Sequence, residues 1–197
     1  MEDASAAALL VAEGPAPLLL VADHASAAVP AGIELGIPAG LFADHIAIDI
    51  GAGALARALA AEFGAAAWLG AWSRLVCDVN RPIESPGIIP EISDGIPVPG
   101  NRGLSPAARA GRLSIHAGFH AGLAARVDAQ RPKLLVSVHS FTPMLRTCAA
   151  PRPWPVAILW NRDARAARLG LAALAQERDL GGSVGANQPY SGQVLNY

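Results

Sequence analysis

Three separate stretches of the sequence are rich in β-forming residues and run directly into side chains that can bind a metal ion or an anion. The first stretch ends in Asp23-His24, the second in Asp78, Asn80 and Arg81, and the third in His139. Parallel strands place their carboxyl ends at one edge of a sheet, where ligands bind in α/β proteins. We therefore expect these three clusters to lie close together in space.

His24 and His139, with a carboxylate nearby, would provide the ligand set of a catalytic zinc ion, which keeps its fourth position for water. Such an ion lowers the pKa of its water and polarises a substrate carbonyl. The sequence has no HExxH motif, so the prediction depends on the positions of the histidines at strand ends. The alternative is that each imidazole is hydrogen-bonded at a strand end and has only a structural role.

The elements that must position these side chains alternate between strands and helices. Strands are predicted for residues 17–22, 66–70, 73–82, 134–138 and 154–160. The strands at 17–22 and 134–138 have the pattern of buried strands, and Cys77 is expected to be a buried free thiol. Helices are predicted from Asp44 to about Phe63 with Gly64 as the stop, from Ser105 as N-cap to Arg131, and over residues 163–179 with Asp163 as cap. This alternation is typical of an α/β fold with a mostly parallel sheet flanked by helices. No repeat or linker divides the sequence, so we predict one domain over residues 1–197.

Two further features can be interpreted in more than one way. Residues 82–103 are rich in proline and glycine and form a segment too long for a plain connection, which indicates a functional loop. His116 and His120 are spaced i, i+4 on the long predicted helix and could bind a metal ion together. A pair of this kind is more often incidental.

The composition excludes several classes of protein. Apolar residues make up 52% of the chain, charged residues 16%, and the net charge is −1 with Lys133 as the only lysine. No basic stripe indicates nucleic-acid binding, and no apolar run reaches the length of a membrane span. The first residues lack the positive region of a signal peptide, and two cysteines make no disulfide framework. We predict a cytoplasmic protein; its oligomeric state does not follow from the sequence.

Six blocks of the sequence, taken in order, resemble the N-formylglutamate amidohydrolase family. They are VADHASAAVP, DHIAIDIGAGALARAL, WSRLVCDVNRP, VPGNRGLS, VHSFTP and NQPYSGQ. The family is related to the zinc carboxypeptidases and aspartoacylases, so the resemblance implies a three-layer, phosphorylase/hydrolase-like α/β fold around a single zinc ion. It also implies hydrolysis of the amide bond of a small N-acyl acidic amino acid, with N-formyl-L-glutamate as the default substrate.

The resemblance further implies roles for particular residues. His24 and His139 match the two metal-binding histidines of the superfamily. Asn80 and Arg81 match the pair that holds the substrate carboxylate, and a guanidinium can bind a carboxylate through two parallel hydrogen bonds. Arg74 would supply a second positive charge or polarise the scissile carbonyl; the alternative for Arg74 is a surface salt bridge. Asp78 is expected to be structural, pairing with Arg74 or Arg81.

The third metal ligand departs from the superfamily pattern. The superfamily has a glutamate three residues after the first histidine, and this sequence has Ala27 there. Asp49, at the start of a helix that should begin near the strand ends, is the first choice for the third ligand. Asp23 is the second choice, because adjacent residues of an extended strand point in opposite directions. His45 is the third.

The general base is also in question. In the superfamily a glutamate close to the zinc and its water accepts the proton of that water and returns it to the leaving amine. The resemblance places this glutamate beyond the NQPYSGQ block, whereas the chain ends at Tyr197. Glu84 and Glu91 lie in the long loop, outside any matching motif. We therefore expect no glutamate of residues 1–197 in the base position, and a chain that lacks the family's C-terminal segment or has lost turnover.

Two other functions remain open. A zinc amidase acting on a peptide or cell-wall amide would keep the metal site and use the 82–103 loop to shape an open groove. A catalytically silent carboxylate-binding protein would keep the fold and Arg81 without turnover.

Overall fold

The computed structural model describes residues 7–12, 14–148, 150–180 and 183–190. Contacts group the chain into two compact units, residues 1–141 and 142–197; the assignment of the whole chain to one amidohydrolase domain stays a prediction. The end of the NQPYSGQ block, residues 191–193, lies outside the described residues. No helix among the described residues is long and apolar enough to cross a membrane.

The described residues of the first unit form six strands and two α-helices. They are β1 (Ala8–Ala12), β2 (Leu18–Ala22), α1 (Ala52–Phe63), β3 (Ala66–Gly70), β4 (Ile92–Ser93), β5 (Ile96–Pro97), α2 (Pro106–Gln130) and β6 (Leu134–Ser137). Short 3-10 helices occupy Ala39–Ala43 and Pro99–Asn101. The second unit contains β7 (Val156–Ile158), α3 (Arg165–Leu174), the 3-10 helix Arg178–Leu180 and β8 (Val184–Ala186).

The main sheet has the strand order β1-β3-β2-β6. Strand β2 pairs in parallel with β3 on one side and with β6 on the other, and β1 pairs with β3 antiparallel. The three parallel strands therefore end at the same edge of the sheet. Two of them, β2 and β6, are the strands that the sequence predicted before His24 and His139, whereas the third is β3 and not the predicted strand before Asp78. This mostly parallel arrangement confirms the predicted α/β class.

Alternate residues of the central strand point to opposite faces of the sheet, and each face is covered by one helix. Leu20 and Ala22 pack with α1 in one core cluster, whereas Leu19 and Val21 pack with Phe119 of α2 in another. This alternation is the period of two expected of a strand. The first unit is thus built in three layers, helix, sheet and helix.

The helix ends follow the local chemistry of the sequence. Ser105 caps α2 by accepting a hydrogen bond from the Ala108 amide at 3.1 Å, and Pro106 occupies the first helical position. Gly64 ends α1 with φ +57°, the left-handed conformation favoured at a helix C-terminus. In the second unit, Asp163 accepts the amide of Arg165 at 3.0 Å, so α3 begins two residues after the predicted cap.

Three details of the sequence prediction are wrong. The first helix begins at Ala52 and not near Asp44, because residues 44–51 form turns. Residues 73–82 form turns and not a strand, although Cys77 is buried as expected. Strand β6 lies at the edge of the sheet, so Leu134 and Leu135 remain 39% and 45% exposed instead of buried.

Two glycines of α2 should respond in opposite ways to the same substitution. At Gly122 a Cβ atom would lie 2.5 Å from Cζ2 of Trp68, whereas at Gly111 it would meet nothing within 4 Å. We expect Gly122→Ala to lower the free energy of unfolding by about 1 to 3 kcal/mol through overpacking. Gly111→Ala should raise it by about 0.5 to 1 kcal/mol through helix propensity. Urea denaturation measures both, and equal effects would contradict the close packing of α2 on Trp68.

Candidate active site

His24, Asp49 and His139 converge at the carboxyl edge of the parallel strands. Their candidate ligand atoms all lie within 4.8 Å of one another, and the two imidazole centroids are 5.5 Å apart. His24 lies two residues after the end of β2, His139 two residues after the end of β6, and Asp49 in the turn before α1. The structure therefore brings together the two strand-end histidines and the first choice for the third ligand.

The turn that carries Asp49 is held against the end of β2 by backbone contacts. The Asp49 amide donates to the His24 carbonyl at 3.1 Å, and the Ala52 amide donates to the Asp49 carbonyl at 3.1 Å. Gly51 adopts φ +80°, and a Cβ at Gly53 would lie 2.9 Å from the carbonyl oxygen of Ala25. The glycines of the DIGAG sequence are thus what allows α1 to begin this close to His24.

The Nδ1 atoms of both histidines face the Asp49 carboxylate. The distance from His24 Nδ1 to Asp49 Oδ1 is 3.4 Å, and that from His139 Nδ1 to Asp49 Oδ2 is 2.8 Å. The Nε2 atoms face outwards, to Asp78 Oδ1 at 2.8 Å for His24 and to Asp23 Oδ2 at 3.2 Å for His139. Carboxylates in this outer position fix the tautomer and orientation of metal-binding histidines.

The contacts of His24 test whether the site suits a metal ion. Its Nδ1 atom is buried without a hydrogen-bond partner, and its Nε2 atom uses the ring proton to donate to Asp78. The remaining lone pair on Nδ1 then faces a carboxylate oxygen of Asp49. Two acceptors stay this close when a proton or a cation lies between them, so the donor set fits a divalent ion.

The electrostatics of the site favour positive charge at the same place. Burial and Arg74 lower the pKa of His24, but Asp78 and Asp49 outweigh them and raise it above its ordinary value. Burial likewise lowers the pKa of His139, but hydrogen bonds to Asp23 and Asp49 raise it to about 10. The acidic surroundings thus favour a positive charge on both imidazoles, so a metal ion would compete with protons for these nitrogens.

Asp78 connects the histidine cluster to the predicted carboxylate-binding residues. Oδ1 accepts from His24 Nε2 at 2.8 Å and from the Asn80 amide at 3.1 Å. Oδ2 accepts from Arg74 Nη2 at 2.9 Å and from Arg81 Nε at 3.2 Å. Burial alone would raise the pKa of Asp78, but the positive charges of His24 and Arg74 hold it well below its usual range.

The three predicted substrate-binding residues differ in how many of their side-chain N–H groups already bind a carboxylate of the protein. Arg74 directs Nη1 to Asp49 and Nη2 to Asp78, so its guanidinium bridges two carboxylates of the site. Arg81 uses only Nε in this way and is 42% exposed at its side chain. Within the described residues, its Nη atoms and the side-chain amide of Asn80 make no hydrogen bond. Arg81 and Asn80 are therefore the better placed of the three to bind an anion.

Other candidates from the sequence lie outside the group of His24, Asp49 and His139. His45 binds Asp44 and Asp94 through its two ring nitrogens, at 2.7 and 3.0 Å. His116 and His120 direct Nε2 to the carbonyls of Arg81 and Val79, at 3.0 and 2.8 Å. Asp23 lies behind His139, on the ring edge opposite Asp49.

The glutamates stay apart from these side chains. Glu84 and Glu91 are both exposed, and no glutamate of the described residues makes a hydrogen bond to His24, Asp49 or His139. The absence of a glutamate base from residues 1–197 stays a prediction.

Sequence reasoning did not find the link between Asp78 and His24. It treated Asp78 only as a structural partner of Arg74 or Arg81, and the structure pairs it with both arginines and with the histidine. The outer contacts of His139 with Asp23 and Ser137 were also missed. The sequence did contain a signal for these contacts. An aspartate directly precedes His24, and another lies two residues before Asn80.

Comparison with known proteins identifies the family and the fold. The sequence pattern of the N-formylglutamate amidohydrolase family matches residues 16–197. The crystal structure of a gene product from Agrobacterium tumefaciens is similar, with 36% identity and a TM-score of 0.83, over 97% of this chain and 77% of that one. The fold also matches the N-formylglutamate amidohydrolase of Ralstonia eutropha, at 20% identity and a TM-score of 0.69, over 96% of this chain and 79% of that one. No curated protein matches the sequence. The family pattern over residues 16–197 shows that the chain belongs to the N-formylglutamate amidohydrolase family.

Proposed function

We propose that the protein is a zinc-dependent amidohydrolase that cleaves the amide bond of a small N-acyl acidic amino acid, with N-formyl-L-glutamate as its substrate. Family membership supports the amidohydrolase class. The observation that carries the metal dependence is the convergence of two histidine Nδ1 atoms on the Asp49 carboxylate, with Asp78 and Asp23 behind the rings. We also propose that the protein acts in the cytoplasm, on a small molecule and not on nucleic acid.

His24, His139 and Asp49 would hold the zinc ion. Two imidazoles and one carboxylate form a set of three protein ligands that leaves a position open, as in catalytic zinc sites. When bound, the ion would polarise the scissile carbonyl and lower the pKa of a water molecule. Asp78 and Asp23 would keep the ring protons on the outer nitrogens, so that the inner nitrogens remain available as ligands.

Arg81 and Asn80 would hold a carboxylate of the substrate. The Nη edge of Arg81 is available for two parallel hydrogen bonds, the geometry in which guanidinium recognises carboxylate. Arg74 lies between Asp49 and Asp78, so its positive charge is already balanced by two carboxylates. We propose that Arg74 contributes by fixing the carboxylates of Asp49 and Asp78 in place.

A catalytically silent carboxylate-binding protein is the second candidate function. It is favoured by the exposure of Glu84 and Glu91 away from the histidines, because amide hydrolysis needs a positioned acid and base. Zinc-dependent release of formate from N-formyl-L-glutamate by residues 1–197 would exclude this candidate. It would also overturn the prediction that these residues lack the base.

The metal site can be tested without turnover. We expect the purified chain to bind one zinc ion, and His24→Ala or His139→Ala to weaken binding by at least about 100-fold, since each removes one of three ligands. Competition with a chromophoric chelator measures the affinity. His45→Gln is the matched control, because His45 binds Asp44 and Asp94 elsewhere. Wild-type affinity in both alanine variants would exclude this site.

Asp78 should affect zinc affinity although it is not a proposed ligand. We expect Asp78→Asn to weaken zinc binding about 10- to 100-fold, because a neutral amide oxygen holds the ring proton of His24 on Nε2 less strongly than the carboxylate does. It should also lower the free energy of unfolding by about 3 kcal/mol, since four cationic or N–H partners lose a buried carboxylate. Asp163→Asn, which alters an exposed carboxylate paired with Arg165, is the control and should change neither quantity. Unchanged zinc affinity in Asp78→Asn would contradict the role assigned to Asp78.

Arg81 should contribute through geometry as well as charge. Arg81→Lys should weaken binding of glutarate, a simple dicarboxylate probe, about tenfold, with one zinc ion still bound and a smaller effect on stability than on glutarate affinity. The reason is that lysine keeps the charge but cannot form two parallel hydrogen bonds. Titration calorimetry on the zinc-loaded protein measures this, and wild-type affinity in the variant would reassign Arg81 to a structural role.

A further inference from the structure

The carboxylate-binding residues lie on a loop without regular structure, and α2 holds that loop from one side. Residues 79–81 are neither helix nor strand. The Arg81 carbonyl accepts a hydrogen bond from His116 Nε2 at 3.0 Å, and the Val79 carbonyl accepts one from His120 Nε2 at 2.8 Å. These two carbonyls are on either side of Asn80. The i, i+4 spacing of the histidines places both rings on one face of α2, above the loop.

Backbone N–H groups of the same loop are also hydrogen-bonded, to groups outside α2. The Asp78 amide donates to the Ile88 carbonyl at 2.7 Å, and the Asn80 amide donates to the Asp78 carboxylate at 3.1 Å. Backbone groups of the loop are therefore hydrogen-bonded to the protein, whereas the Asn80 side-chain amide and the Arg81 Nη atoms make no hydrogen bond among the described residues. Such an arrangement orients two side chains towards a ligand while preventing the loop from rotating.

The two imidazoles are themselves firmly placed. Their centroids are 4.3 Å apart, and Phe119 packs against the His120 ring edge-on at 5.3 Å. Phe119 is fully buried in the same core cluster as Val79, so the helix and the loop share a packed contact next to the hydrogen bonds. His116 is 4% exposed. Because His116 Nε2 carries a proton that it donates to the Arg81 carbonyl, this nitrogen has no lone pair with which to bind a metal ion.

We propose that His116 and His120 are positioning residues for substrate recognition: by binding the carbonyls of Arg81 and Val79, they hold Asn80 and Arg81 in the orientation that binds a substrate carboxylate. This inference rests on the proposed function, because it assigns the Asn80-Arg81 pair to the substrate. It gives the histidine pair a role that is separate from the metal ion. The role depends on the Nε2–H donor and not on the aromatic ring alone.

The test compares removal of the donor with its replacement. In His120→Leu and His116→Leu the side chain keeps apolar bulk but loses the donor, whereas glutamine at either position retains an N–H at a similar reach. Ser114→Ala, an exposed position on the same helix, is the control. Each variant is loaded with zinc, and glutarate affinity, zinc stoichiometry and thermal unfolding are measured on the full chain.

We expect each leucine variant to bind glutarate about tenfold more weakly, which corresponds to about 1.4 kcal/mol, with one zinc ion still bound. The glutamine variants should recover affinity to within about threefold of wild type. Equal loss in the leucine and glutamine variants would overturn the proposal, because ring packing and not the hydrogen bond would then be responsible. Because His116 is buried, a leucine variant there that fails to fold leaves the decision to the part-buried His120 pair.

The same measurements separate this inference from the proposed function. If wild-type protein binds glutarate and the leucine variants bind it equally well, the positioning role is wrong and the proposed function stands. If wild-type protein binds glutarate, loses it in the leucine variants and releases no formate from N-formyl-L-glutamate, the positioning role stands and the hydrolytic function is wrong. Wild-type protein that binds no glutarate contradicts both.

Discussion

The site is organised by the burial of one carboxylate. Asp78 is only 3% exposed, and a buried charge is costly unless it is paired and hydrogen-bonded. Its two oxygens meet this requirement through His24, Arg74, Arg81 and the Asn80 amide. Because each of these partners must stay in place to compensate the charge, Asp78 fixes the position of a proposed metal ligand and of a proposed substrate-binding arginine together. The two halves of the site therefore share one anchor.

Small residues make this arrangement sterically possible. The α1 face that packs on the sheet consists of Ala52, Ala56 and Ala60, which lets the helix lie close to β2 and β3. At the end of β3, a Cβ on Gly70 would collide with the carbonyl oxygen of Asp23. The small alanine side chains of α1 thus allow the start of this helix, and with it Asp49, to lie next to the strand-end histidines.

The two proposed metal ligands from the strands differ in their exposure. The His24 side chain is 2% exposed, in the middle of the sheet, whereas that of His139 is 32% exposed, at the end of the edge strand β6. The buried histidine is held by the Asp78 network, and the other lies where solvent reaches the cluster. The two histidines of the cluster therefore differ in how far solvent reaches them.

The sequence by itself determined the features that depend on local chemistry and on chain order. Strand propensity followed by an imidazole located His24 and His139, the Ser105-Pro106 pair located the start of α2, and the alternation of strands and helices gave the mostly parallel sheet. The choice of Asp49 also came from the sequence, from its place before a helix that begins near the strand ends.

Only the tertiary structure decided which nitrogen of each histidine faces the cluster, because the partners that fix those nitrogens are far away in sequence. His24 is bound by a residue 54 positions later, and His139 by one 90 positions earlier. The same reason explains the errors. Residues 73–82 have strand propensity but are held as turns by the contacts of Ser73, Asp78 and α2. Likewise, His116 and His120 were interpreted as a metal-binding pair or an incidental one. The i, i+4 spacing shows that the two rings share a face of the helix, but it cannot show that the carbonyls of Arg81 and Val79 lie against that face. Propensity acts between neighbours in the chain, whereas the compensation of a buried charge acts between neighbours in space.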